Sequence, residues 1–167
     1  MGDLRRLSPS GLAFIRSWED FRPAPYRDAG GRLTIGYGHL IRPGEHFSEI
    51  TLAEAEHLLS EDVLAVELGL SGLCHDVELV LREFDALCSF AFNIGLAAFY
   101  HSTLCRLLKA GDKTRAADEF PRWCHVAGRE VAGLRARREA ERRVFLGLSE
   151  PRYPLPPPAA PAAEESV

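Results

Sequence analysis

The chain lacks any run of about 18 apolar residues, so no stretch of it reads as a transmembrane helix. Its opening, Met-Gly-Asp-Leu-Arg-Arg-Leu, has no apolar core of the kind a secretory signal needs. Together these absences lead us to expect a protein first resident in the cytosol, without stable membrane insertion. Positive charge is not in excess: 20 Lys and Arg stand against 24 Asp and Glu, for a net charge of −4. That speaks against a nonspecific nucleic-acid surface, so no nucleic-acid partner is expected. No CxxC motif joins the four cysteines, Cys74, Cys88, Cys105 and Cys124. Cys88 and Cys105 fall in apolar helical runs, where a thiol behaves as a small hydrophobe, and free buried thiols are expected. Cys74-His75 and Cys124-His125 are weak hints of a metal site. Adjacent pairs set far apart do not make a ligand motif, so no metal is expected. No internal repeat is visible.

What the chain does have is one domain's length, 167 residues, and an apolar fraction of 46% that can build a core. We read residues 1–7 as an N-terminal segment and 8–149 as the domain. Residues 150–167, Pro/Ala-rich from Pro151, read as a disordered tail with little to bury.

The stretch from Glu19 to His39 carries the chemistry. Ser8-Pro9 is an N-cap followed by a proline suited to the first helical turn. Leu12, Ile15 and Glu19 then share one helical face, beside a stripe of Phe14 and Trp18. Glu19 is thus expected in the last helical turn, next to apolar surface. Desolvation and the negative end of the helix both raise a carboxyl pKa there, as a general acid requires. A helix-terminal Glu paired with an arginine is the plainer alternative. Pro23 and Pro25 stop the helix. Tyr26-Arg27-Asp28 and Arg32 to Tyr37 read as two strands joined through Ala29-Gly30-Gly31. Leu33, Ile35 and Tyr37 would face one way; Thr34 and Gly36 would form a low, open face where a ligand approaches backbone.

Further on, Thr51-Leu-Ala-Glu54 is a capping box opening a helix through Leu58, Leu59, Val63 and Val66 to about Gly69. It is long enough to connect two lobes. A buried central helix is expected from about Val80 to Gly95. Ser102 caps a short helix, and Asp112 caps another that would carry Ala117, Phe120 and Trp123. A last helix, about Val131 to Leu146, bears Arg135, Arg137, Arg138, Arg142 and Arg143. Such a run is a solvated face, a contact for an anionic polymer, or a partner for Glu19.

The spacing of these residues resembles the phage-type lysozymes, the T4/P22-like glycoside hydrolases. Their signature of Glu, eight residues, Asp, five residues, Thr is matched by Glu19, Asp28 and Thr34. Ile35-Gly36-Tyr37-Gly38-His39 completes it. Further fragments are similar: Phe84-Asp85-Ala86-Leu87, Ser89 through Gly95, Ser102-Thr103-Leu104, Ala110-Gly111-Asp112, and Gly133-Leu134 with Arg137-Arg138, Glu141 and Phe145. They cover roughly residues 8 to 148.

The resemblance implies an α+β, mainly α, two-lobed lysozyme-like fold with a small β-hairpin lobe and a larger helical lobe. It implies an N-acetylmuramidase cutting peptidoglycan glycan strands, with Glu19 as acid, Asp28 stabilising positive charge and activating water, and Thr34 holding that water. Gly36, Gly38, Leu40, Arg137 and Arg138 would be substrate-binding, with one of the two arginines, Arg137 or Arg138, near Glu19; His39 would be structural. No cofactor is implied. An endolysin of this kind is expected to be a monomer that waits in the host cytoplasm and reaches the periplasmic wall with a holin-like permeabilising partner. The alternative is a muramidase-like domain reused as a binding or scaffold module. The chain departs from the family pattern at Asp20, at Arg129, where the family often has a second glycine nearby, and in its mild acidity.

Overall fold

The computed structural model describes residues 4–28 and 30–149, so the Pro/Ala-rich tail lies outside the described residues. Helix α1, Pro9–Ser17, starts where its cap places it, with Ser8 Oγ accepting the Gly11 N–H at 2.9 Å. A second layer of capping comes from afar: the Ser8 N–H donates to Asp85 Oδ1 at 2.9 Å. Gly11 fits under that carboxylate, since a Cβ there would lie 2.6 Å from it. Upstream, Arg5 donates to the carbonyls of Cys74 and Val77, and the Leu7 N–H donates to Glu67. The segment read as preceding the domain is therefore tied to it from Arg5 onward. α1 closes at Trp18, one residue before Glu19. Glu19 thus stands just past the last turn rather than within it, its N–H bonded to the Arg16 carbonyl at 3.1 Å.

Three antiparallel strands follow in the order β1-β2-β3: β1 Arg22–Arg27, β2 Leu33–Gly36 and β3 His39–Leu40. β1 begins earlier than the pattern predicts and contains Pro23 and Pro25. It is an edge strand whose register slips between Arg22 and Tyr26, the setting in which a strand tolerates missing N–H donors. The face expected to be open is filled. Gly36, at φ +65°, packs on Ile50 and Ala55, and a Cβ there would meet Ile50 Cδ1 at 3.2 Å and Ala55 Cβ at 3.3 Å. Ile35, Ile50, Ala55 and Leu58 form a small core beneath the sheet.

Helix α2, Leu52–Leu73, carries the capping box between Thr51 and Glu54. At 1.5 Å per residue its 22 residues span about 33 Å. Its first turns serve the small core and its later residues, Val63, Val66 and Leu70, serve the large one. It runs past Gly69, which makes room for Leu96: a Cβ at 69 would lie 2.4 Å from Leu96 Cδ1. His39 binds β3 to this rod, with Nδ1 2.9 Å from Asp62 and Nε2 3.1 Å from Glu45.

The helical body comprises α3 Leu81–Ile94, α4 Leu96–Tyr100, α5 Thr103–Lys109, α6 Lys113–Ala117 and α7 Ala132–Phe145. Ser102 and Asp112 cap α5 and α6 as expected. Phe120 and Trp123 fall outside α6, because Pro121 starts a separate short 3-10 turn at Phe120–Arg122. Residues Glu83 through Ala91 of α3 are all buried, and Phe90 packs edge-on against Phe99, Phe120 and Trp123. Ahead of α7 lies a small hairpin, β4 His125–Val126 and β5 Arg129–Glu130. Its turn puts Ala127 at φ +49° and Gly128 at φ +77°. The backbone there favours glycine, which accounts for the glycine expected near this position. All four cysteines are free and buried. Among the described residues no helix is long and apolar enough to cross a membrane.

Candidate active site

Where α1 gives way to β1, Glu19 turns toward α7. Its Oε1 accepts Arg137 Nη1 at 2.8 Å, and its side chain is 22% exposed. Burial pushes the Glu19 carboxyl above its usual range. Arg137 pulls it back in part, and the neighbouring Asp20 charge adds a small upward push. The result is a carboxyl biased toward keeping its proton, the condition a general acid needs. The open choice between Arg137 and Arg138 falls to Arg137. The plainer reading, a terminal Glu with an arginine partner, is present together with the raised pKa.

Asp28 is held by its own loop. Oδ1 accepts the N–H groups of Gly30 and Arg32, both at 2.9 Å, and Oδ2 accepts Arg32 Nε at 2.9 Å. The Arg32 N–H leads in drawing its pKa below the usual range, and the Arg32 guanidinium and Gly30 N–H assist. A carboxylate fixed in this way stays ionised.

Thr34 meets Asp28 through backbone. The Arg32 carbonyl accepts both the Asp28 N–H, at 2.9 Å, and the Thr34 hydroxyl, at 3.0 Å. Thr34 is only 2% exposed, so it sits within the sheet rather than on an open face. Its register partners are Tyr26 on β1 and Leu40 on β3. On the following turn Gly38 has open space around it at φ +94°, and Leu40 is 39% exposed.

Donor atoms of Cys124, His125 and Glu130 lie within 4.8 Å of one another. Glu130 also pairs with Arg135 at 3.4 Å, and no fourth His, Cys, Asp or Glu joins the cluster among the described residues. Cys74-His75 gathers no such group among them; His75 Nδ1 meets the Gly72 carbonyl.

A family model described as phage lysozyme matches residues 16–141. The chain belongs to the phage lysozyme family. It is 39% identical over 145 residues to an endolysin of Bacillus phage B103, a match covering 84% of this chain and 54% of that protein. The chain therefore spans about half the length of that relative. It is 38% identical over 145 residues to an endolysin of Acyrthosiphon pisum secondary endosymbiont phage 1, covering 83% of this chain and 97% of that one. Among solved structures, the muramidase domain of SpmX from Asticaccaulis excentricus superposes with a TM-score of 0.78 at 34% identity, over 85% of this chain and 98% of that one. The α+β lysozyme-like fold expected from the sequence is the fold observed.

Within this phage lysozyme fold, two of the residues expected to bind substrate, Gly36 and Arg138, are packed in the interior. Gly36 is a packing glycine against Ile50 and Ala55. Arg138 is fully buried, donating to Asn93 and Glu141 and lying over the Phe90 ring at 4.9 Å. Gly38 and Leu40 remain accessible beside Thr34. Ser89, Glu141 and Arg32, which hold Arg137 and Asp28, were not among the residues expected at the site. The spacing of Arg137 and Glu141 by four on one helix was the available signal.

Proposed function

We propose that the chain is an N-acetylmuramidase that hydrolyses the β-1,4 bond from N-acetylmuramic acid to N-acetylglucosamine in peptidoglycan, and that it serves as an endolysin. One observation carries the reading: two carboxyl groups are driven in opposite directions, Glu19 up by burial and Asp28 down by N–H donors. Divided acid and anion roles are the requirement of glycoside hydrolysis. Glu19 gives its proton to the leaving glycosidic oxygen. Asp28 faces the positive charge that grows on the sugar and draws a proton from the attacking water. The Thr34 oxygen accepts a hydrogen bond from that water. Arg137 holds Glu19 in place. Gly38 and Leu40 bear on the glycan strand. Water attacking from the far side of the ring would invert the anomeric centre; inverting glycosidases as a class keep their two carboxyls about 6.5–9.5 Å apart to admit that water. No step calls for a metal or organic cofactor.

In this reading the protein is a monomer that accumulates in the host cytoplasm and meets the wall after a holin-like partner has opened the membrane. The test is digestion of purified peptidoglycan with product analysis. Ordinary reducing muramic ends are expected; anhydro ends would make it a lytic transglycosylase, and intact wall would remove the assignment. The likeness to the muramidase domain of SpmX favours a second reading, a domain reused as a binding or scaffold module. Mass in solution separates the two, a monomer for the lytic enzyme and a self-associating species for the scaffold.

A further inference from the structure

Glu19 does not meet Arg137 as an isolated pair. Behind it lies an ionic group almost sealed from water, with Arg137 4% exposed and Arg138 and Glu141 both at 0%. Glu141 sits at its centre. Its Oε1 accepts Ser89 Oγ at 2.7 Å, Arg137 Nε at 3.1 Å and Arg138 Nη2 at 3.2 Å. Its Oε2 lies 2.9 Å from Arg138 Nε. Arg137 is thereby forked three ways: Nη1 to Glu19, Nε to Glu141 and Nη2 to the Ser89 carbonyl. From the elements packed around it, α3 contributes Ser89 and Asn93, and the buried Cys124 adjoins Arg138. Asp20 is the other charge bearing on Glu19.

The charges can be counted. With Glu19 ionised, two guanidiniums face two carboxylates and the group is neutral. With Glu19 protonated, it carries one positive charge. Take away the charge of Glu141 and the protonated state would hold two uncompensated guanidiniums in a dry site, which strongly favours loss of the Glu19 proton. Glutamine at 141 would still offer Arg137 an acceptor oxygen, so charge and orientation are separable.

We propose that Glu141 is a positioning residue for the reaction: it grips Arg137 against Glu19 and takes up part of its positive charge, leaving Glu19 able to hold the proton it donates. The proposal rests on the acid role assigned to Glu19 above.

The test titrates the Glu19 carboxyl by carbon-13 NMR in the full chain, with Glu19→Gln to assign the signal, alongside the pH profile of wall digestion. In Glu141→Gln, Glu19 should titrate at lower pH. Its protonated fraction at neutral pH should fall by about threefold or more, one pH unit being tenfold. The alkaline limb of activity should move with it, kcat falling while KM holds. A Glu19 titration that stays put or moves upward, with only the melting temperature reduced, overturns the proposal. Should Glu141→Gln fail to fold, Arg138→Met and the doubly substituted chain R138M/E141Q serve instead. The first should move Glu19 upward, and the second, which removes one charge of each sign, should return it toward wild type; an unmoved Glu19 in Arg138→Met, or a double variant that stays where Arg138→Met lies, overturns the proposal. A wild-type protein that digests no wall would defeat the muramidase reading, while the NMR titration would still decide the role of Glu141.

Discussion

Glu19 and Asp28 carry the same functional group in opposite surroundings. Glu19 stands behind helices, touching one guanidinium that is itself locked from three sides. Asp28 stands on a hairpin loop, gripped by N–H groups two and four residues ahead of it. Low dielectric shapes the first, and short-range donors shape the second. Anything altering Glu19 must act through the packed interior, whereas Asp28 is set within five consecutive residues.

The largest effect should come from removing the buried acid. Glu19→Gln should lower lysis of permeabilised Gram-negative cells by about 100-fold or more while leaving the thermal melt nearly unchanged. Persistent lysis would mean that another group supplies the proton. Next comes the lock itself. Arg137→Gln strips Glu141 of one of its two cations and should cost about 3 kcal/mol in denaturant unfolding. It should also move the alkaline limb of activity upward, since Arg137 lowers the Glu19 pKa.

On the hairpin side, His39 offers a third comparison. Burial favours its neutral form, but hydrogen bonds and charge from Asp62 and Glu45 outweigh burial and raise its pKa. A raised histidine contributes stability fully below its unfolded value, about 6.5, and loses it as pH climbs through the folded value. Replacement by Gln should therefore cost about 2 kcal/mol near pH 5.5 and distinctly less near pH 9, read from urea midpoints. A pH-independent cost would mean that packing alone holds the ring. The smallest effect belongs to Arg32→Ala. It removes the guanidinium from Asp28 but keeps the backbone donors, so the acid limb should move only slightly, toward higher pH. A large displacement would show that the side chain, not the loop, keeps Asp28 ionised.

Features fixed by neighbours in sequence were legible beforehand. Ser8, Thr51, Ser102 and Asp112 cap the helices they were expected to cap, because a cap is a bond across three residues. What escaped depends on distant partners. Nothing local says that Arg137 rather than Arg138 faces Glu19; α3 decides it by presenting Ser89 and Asn93. Gly36 looked like a gap until Ile50 and Ala55 were seen to fill it, and Gly69 looked like a helix end until Leu96 was found against it. The strands of β3, β4 and β5, two residues each, are too short to show any period. β1 was foreshortened because its prolines read as a stop, although an edge strand accommodates them.

The enclosed thiols have a practical corollary. Burial pushes Cys74 up to about 11, and Cys88 and Cys105 rise for the same reason, so none of these three offers a nucleophilic anion at its surface. Reagents that attack a thiolate should therefore find these three buried thiols unreactive while the native fold stays closed. A thiol-labelling reagent would accordingly act as a clock for the opening of the core, registering only molecules that have let it in.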